Sequence, residues 1–229
     1  MDPFRSRLSD VCVVAYLDDL LVVSDYVASH VQDQRKVFDG LRVFGLKANR
    51  DKCMFARDRV TYLGHVISSQ EIQTDSEKVT AIVNMRLPSN LKELRSFLQT
   101  CSWFRKFIPQ FSKIARPLTC LTKKNGKWTW GEEQTQAFAT LIDKLTSAYI
   151  LRQPDLKVPF VMRIDASAYA LGAVLIQGEE AKDERPIEYT SKLLTAAERN
   201  YTTAGCEALA VVWALDKFGS PLIINHCDG

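Results

Sequence analysis

The 229-residue chain has no apolar run long enough to cross a bilayer. Its longest ones, Val11–Leu17 and Leu20–Val23, are short and are split by Asp18 and Asp19. No basic start leads into a long apolar stretch, since Met1 is followed by Asp2 and Arg5, so a secretory leader is not expected. The six cysteines, at 12, 53, 101, 120, 206 and 227, include no CxxC pair. Scattered thiols without an export signal suit a reducing compartment rather than a disulfide framework. Synthesis in the cytoplasm is therefore expected, with nuclear entry left open. There are only three histidines, and His226-Cys227 has no partners at zinc spacing. Internal repeats and low-complexity tracts are absent. With 46% hydrophobic and 25% charged residues, wholesale disorder is excluded.

The net charge of +3 hides a division. Residues 1–130 carry 21 Lys and Arg against 13 Asp and Glu, whereas residues 131–229 carry 9 against 14. Between Arg86 and Lys127, ten basic residues face one acid, Glu93, and Trp103, Phe104, Phe107 and Phe111 lie among them. Basic side chains interleaved with aromatics attract a nucleic-acid backbone. The same pattern also suits a solvated helical surface over an apolar inner face.

Two apolar runs around Leu17-Asp18-Asp19 read as a buried β-hairpin. Val27, Val31, Val37, Leu41 and Phe44 recur at helical spacing over 27–45, with Gly45 as the stop. Val60–Ile67 and the segment around Ile72 read as strands. Thr74-x-x-Glu77 predicts a capped helix with Val79, Ile82 and Val83 inward, and Asn90-x-x-Glu93 opens another over 91–105. Further helices are expected at 111–121 and 132–147, with Trp128–Trp130 as a strand between them. After Pro154 come three strands, Pro159–Ile164, Leu171–Gln177 and Pro186–Ser191, then a helix over 202–218 ending at Gly219.

The carboxylates point to chemistry. Adjacent acids on a tight turn repel each other and resist desolvation unless a cation neutralises them. Mg²⁺ suits such a place because it takes one or two carboxylates plus substrate phosphates. Taken alone, an Asp-Asp turn also reflects the ordinary preference of Asp for turns. Asp165 ends a strand, and Glu207 falls at helical spacing with Val211, Ala214, Leu215 and Phe218, which predicts a carboxylate on a buried stripe.

Tyr16-Leu17-Asp18-Asp19 resembles the YxDD box of reverse transcriptases, and the flanks extend the match: VVAYLDDLLVVS, GLKANRDKCMF, VTYLGHVIS, LKELRSFL, WFRKFIPQFSKIARPLT, IDASAYALGAVLIQ and YTTAGCEALAVVWALDKF. Their order and spacing resemble the Pol polyprotein of gypsy-type long-terminal-repeat retrotransposons, from about Val11 to Phe218. The resemblance implies an α+β or α/β multidomain fold. Residues 1–74 would be the second half of a reverse-transcriptase palm, 75–126 a helical thumb, 127–157 a connecting segment and 158–229 the first half of a ribonuclease H-like domain. It implies RNA-directed DNA synthesis from deoxynucleoside triphosphates and cleavage of RNA in hybrids, using Mg²⁺ with Mn²⁺ as the alternative. It also implies an RNA–DNA hybrid or primer–template duplex as partner, and no membrane.

By the same resemblance, Asp18, Asp19, Asp165 and Glu207 are catalytic, metal-binding carboxylates. Tyr62-Leu63-Gly64-His65 is the primer-grip hairpin. Gly64, His65, Lys92, Arg95, Gln99, Trp103, Arg105 and Lys106 are the residues expected on nucleic acid, with Gln99 standing where relatives usually carry Gly. Only fifteen residues precede Tyr16, so a further palm Asp is expected to be missing, and the tail from Gly219 departs from the pattern. Asp228 is a candidate for a third nuclease acid. These gaps predict retained nucleic-acid affinity without efficient catalysis, and marginal stability for 159–229.

Overall fold

The computed structural model describes Phe4 and residues 8–124, 127–148, 150–178, 180 and 182–224. The candidate roles of Asp228 and His226-Cys227 lie outside the described residues. The chain divides into two compact units, 1–62 and 63–229. The divisions expected at 74, 126 and 157 all fall within the second unit.

In the first unit, β1 (Cys12–Tyr16) and β2 (Asp19–Val23) form an antiparallel hairpin in which Tyr16 pairs with Asp19. It is followed by α1 (Val27–Val43) and β3 (Arg59–Tyr62). Phe4, Leu8, Val11, Val37 and Leu41 make the core, with Val13, Leu20 and Val22 packed against it. The hairpin is thus buried on one face rather than wholly, because its side chains alternate: Val14, Tyr16 and Val23 are exposed. The inner face predicted for α1 is also corrected. Val37 and Leu41 are buried, whereas Val27, Val31 and Phe44 face outward.

The second unit opens with β4 (His65–Ser68) and β5 (Glu71–Thr74), antiparallel, with β5 pairing in turn with β6 (Leu151–Arg152). Four helices follow β5: α2 (Ser76–Val83), α3 (Leu91–Trp103), α4 (Phe111–Leu121) and α5 (Glu132–Thr146). The cap of α2 is Asp75, whose carboxylate accepts from the Glu77 amide at 3.0 Å. Thr74, the predicted cap, instead ends β5, and Val83 is exposed. The second capping prediction holds: Asn90 Oδ1 accepts from the Glu93 amide at 3.0 Å, and the Glu93 carboxylate accepts from the Ser89 amide at 2.8 Å. Burial of Leu94, Phe97, Cys101, Phe107, Leu118 and Leu141 joins the helices into one core. Residues 128–130 are not a strand; Trp130 packs edge-on against Phe138 instead.

The final portion is an antiparallel sheet, β7 (Phe160–Ala166), β8 (Ala170–Gln177) and β9 (Arg185–Leu193), with β8 central. The helix α6 (Thr203–Ile224) covers one face through Ala210, Ala214 and Phe218, which meet Leu171, Ala173 and Leu175. It continues through Gly219 instead of ending there. β8 is buried along nearly its whole length, as expected of a strand covered on both faces.

Candidate functional site

The first site is the turn between β3 and β4, considered with the helical unit that holds it. Leu63 (φ 50°) and Gly64 (φ 76°) are both left-handed, a conformation easy for glycine and disfavoured by about 1 kcal/mol for leucine. The turn is held from α3. Trp103 Nε1 donates to the Leu63 carbonyl at 2.9 Å, and the Trp103 ring stacks parallel on His65 with centroids 6.3 Å apart. Phe104 and Phe107 enclose His65 from its other sides. Burial, and then the Lys106 ammonium, push the His65 pKa down to about 4, so the ring is neutral at physiological pH.

Lys92, Arg95, Gln99 and Trp103 follow one another at three- and four-residue intervals on α3, and all four are exposed. Leu94, Phe97 and Cys101 point the other way, into the core. The helix therefore presents a row of two cations, an amide and an indole, ending beside the Leu63–Gly64 turn.

The remaining two basic candidates are placed differently. The Arg105 guanidinium donates to the Ser191 carbonyl of β9 and stands over Phe111. Lys106 is half-buried over the Phe107 ring; burial lowers its pKa, with Glu188 acting in the opposite direction. Both side chains are engaged by the β9 side of the unit.

Asp18 and Asp19 sit side by side at the hairpin tip of the first unit, both exposed, after Leu17 in a left-handed conformation (φ 52°). Such strain in a non-glycine residue is of the kind concentrated at functional turns. Asp165, near the end of β7, is exposed and accepts a hydrogen bond at 2.7 Å from Gln110 Nε2. Glu207 is exposed on α6 and not on its buried stripe, which runs through Ala210, Ala214 and Phe218. The sequence pattern misled here because α6 is apolar on more than one side, with Val211, Val212 and Leu215 exposed as well.

Ile164 and Ala166 pack with the α6 cluster, so strand alternation directs Asp165 to the opposite face of the sheet. Sequence reasoning missed Gln110, Ser112 and Ser191, which meet on that face. A glutamine in a left-handed conformation (φ 52°) carries no local signature, although Gly172 between the two strands was a visible cue.

Comparison with known proteins adds the class. Residues 1–67 match the family model for reverse transcriptase (RNA-dependent DNA polymerase), and residues 130–227 match the RNase H-like domain found in reverse transcriptase. The chain thus joins a part that matches reverse transcriptase to a part that matches its RNase H-like domain. Among its relatives is the retrovirus-related Pol polyprotein from transposon opus of Drosophila melanogaster, 38% identical over 227 residues. The match covers 94% of this chain and 22% of that protein. The Schizosaccharomyces pombe transposon Tf2-3 polyprotein is 34% identical over 203 residues, covering 89% of this chain and 15% of its own length. The chain therefore spans about a fifth or less of these relatives.

Among solved structures, the foamy viral protease-reverse transcriptase in complex with RNA/DNA hybrid aligns with a TM-score of 0.80 at 28% identity. That alignment covers 94% of this chain and 30% of the viral one. The same enzyme's dRH form with double-stranded DNA aligns with a TM-score of 0.79 at 27% identity, over 95% and 38% of the two chains. The mixed α and β fold with both parts is thereby established.

Reverse transcriptases and RNase H enzymes generally use divalent metals. Among the described residues, however, no three His, Cys, Asp or Glu side chains come together as a group able to hold an ion. Asp18 with Asp19, or Asp165 with Glu207, do not by themselves make up such a set.

Proposed function

We propose that this chain is the primer–template-holding segment of a gypsy-type long-terminal-repeat retrotransposon reverse transcriptase–ribonuclease H, with the duplex lying along α3 and against the Leu63–Gly64 turn. One observation carries the reading: the exposed row Lys92, Arg95, Gln99 and Trp103 leads directly to the left-handed Leu63–Gly64 turn, whose second residue has no side chain. The two cations meet phosphates, the indole packs on sugars, and Gly64 admits backbone close to the primer strand. Gln99 offers an amide that can hydrogen-bond to sugar or base edges. Its bulk sets a wider approach at mid-helix than glycine would. The relatives' names and the hybrid and double-stranded DNA bound by the viral enzyme support this partner.

In the parent polyprotein the substrates would be deoxynucleoside triphosphates and the RNA of hybrids, with Mg²⁺ or Mn²⁺ supplying charge neutralisation at phosphate. Asp18 and Asp19 are the carboxylates proposed for polymerisation, and Asp165 and Glu207 those proposed for the nuclease. Among the described residues neither pair completes an ion-holding set by itself.

The test is anisotropy titration of a labelled RNA–DNA hybrid across a salt series. The wild-type chain should bind with log Kd rising linearly with log salt. Lys92→Ala and Arg95→Ala should each reduce that slope by about one, as expected for one lost phosphate contact. Binding that ignores salt, or slopes unchanged in both variants, would remove α3 as the duplex-bearing surface.

A further inference from the structure

The structure assigns Gln110 and Asp165, with Ser112 and Ser191, to a clasp that locks the start of α4 onto the face of the RNase H-like sheet opposite α6, and Asp165 is the acceptor of its outer bond. The register makes this possible. Asp165 of β7 pairs with Gly172 of β8, and Gly172 pairs with Ser191 of β9, so the three form one row across the sheet. Cross-strand neighbours project to the same face, and the middle one has no side chain.

The start of α4 fills that gap. A Cβ on Gly172 would lie 3.7 Å from Gln110 Cγ, which shows how closely the glutamine chain passes over it. From there Gln110 Nε2 reaches Asp165 Oδ2 at 2.7 Å on one side. On the other side the Ser112 amide donates to Ser191 Oγ at 2.9 Å, and Ser112 Oγ donates to the Ser191 carbonyl at 3.0 Å. Arg105 adds a further bond to the same carbonyl, and three positions before Gly172 the Tyr169 ring lies 3.8 Å below the Arg116 guanidinium.

Two features separate this from an incidental surface contact. Ser191 is almost fully buried at 2% exposure, so its polar atoms need these partners. Gln110 is held in a left-handed conformation that a glutamine does not favour, and its side-chain bond offsets that strain.

The consequence concerns the carboxylate proposed for the nuclease. Within the clasp one Asp165 oxygen accepts from an amide, and among the described residues Asp165 belongs to no group of three or more ligating side chains, so the clasp and a divalent ion compete for the same side chain. The clasp would hold α4, and through Arg105 the end of α3, at a fixed angle to the sheet. It rests on the sheet's register and not on the duplex-binding reading, so either can fail without the other.

Hydrogen exchange at residues 110–116 of the full chain tests it. Gln110→Ala and Asp165→Ala should each accelerate exchange there about tenfold, the equivalent of roughly 1.4 kcal/mol for a hydrogen bond to a charged group at a wet site. The double variant should be no faster than either single one, since both remove the same bond. Asp165→Asn, which keeps an accepting oxygen but is a poor metal ligand, should remain near wild type. Multiplicative single effects, or Asp165→Asn as fast as Asp165→Ala, would overturn the clasp. So would protection by Mg²⁺ that is present in wild type and absent in Asp165→Asn, because Asp165 would then serve the ion first. Should Asp165→Ala not fold, Gln110→Leu keeps the bulk over Gly172 and removes only the donor. Tenfold faster exchange supports the hydrogen bond as the lock, and unchanged exchange refutes it.

Discussion

Trp103 does two separable things, and two substitutions pull them apart. Trp103→Phe keeps an aromatic ring over His65 but removes the indole N–H that holds the Leu63 carbonyl. One partly solvated hydrogen bond is worth about 1 kcal/mol, so for a protein of this size Tm should fall by roughly 2–4 °C. Trp103→Ala loses the ring as well. The residue is 49% exposed, so about 100–125 Å² of a large aromatic side chain is covered, worth at most about 3 kcal/mol at 25 cal/mol per Å². Its Tm should therefore fall by about 6–12 °C. Binding to a hybrid, measured well below both melting points, should follow the exposed half of the ring instead. Trp103→Phe should bind within about threefold of wild type and Trp103→Ala about tenfold more weakly, or 1.4 kcal/mol. An unchanged Tm in Trp103→Phe would mean the N–H contributes nothing to the turn, and equal losses in the two variants would mean the ring contributes nothing beyond it. Unaltered hybrid affinity in Trp103→Ala would refute the placement of the ring on the duplex.

Two further expectations concern the same unit. His65 titrates near 4 when folded and near 6.5 when unfolded, because burial disfavours its charged form. Its neutral, boxed state is therefore fully compatible with folding above pH 6.5, and stability is lost as pH falls from 6.5 towards 4 while only the unfolded chain takes the proton. Melting curves of wild type and His65→Phe should diverge in that window and run parallel above it; identical pH profiles would show that His65 is not buried as described. Leu118 of α4 has no solvent exposure and belongs to the core that joins the helices. Leu118→Ala should destabilise by about 2–5 kcal/mol in urea unfolding. A loss below 1 kcal/mol would mean that the α3–α5 core is not packed as described.

Much of the second unit was legible in the sequence because its signals were redundant. Asn90 with Glu93 marked the start of α3 by the same bond that the structure contains; of the apolar stripe Leu91, Leu94, Leu98 and Cys101 that the spacing offered, Leu94 and Cys101 are buried, and Phe97 joins them. The strand expected over Pro159–Ile164 is present as β7, which runs on to Ala166, so Asp165 is its penultimate residue. The errors arose where periodicity was ambiguous. In α1 and α6 apolar residues occupy more than one face, so spacing alone could not choose the buried one, and Glu207 was assigned inward when it faces out. Thr74 and Asp75 are both able to cap α2, and the pairing of β5 with β4 decided the matter by drawing Thr74 into the sheet. Trp128–Trp130 looked like a strand by composition, yet Trp130 packs edge-on against Phe138 instead.

The site was legible in part. The α3 residues were named through the family resemblance, and the structure places all four of them on the exposed side of the helix. Arg105 and Lys106 looked like further phosphate contacts for the same reason, but tertiary packing turned them towards β9, where Ser191 and Glu188 meet them. The bond from Gln110 to Asp165 joins residues 55 positions apart and depends on Gly172 lying between Asp165 and Ser191. That row exists only once the strand register is set, which no local pattern reports.

The central claim is that the α3 row and the adjacent turn carry the duplex. The most direct measurement is photo-crosslinking of a hybrid whose primer strand bears a reactive group near its 3′ end, followed by peptide mapping. Crosslinks concentrated on residues 63–65 and 92–103, and lost at high salt, are the predicted result. A crosslink map confined to α5 or α6, with none on α3 or the turn, would contradict the account.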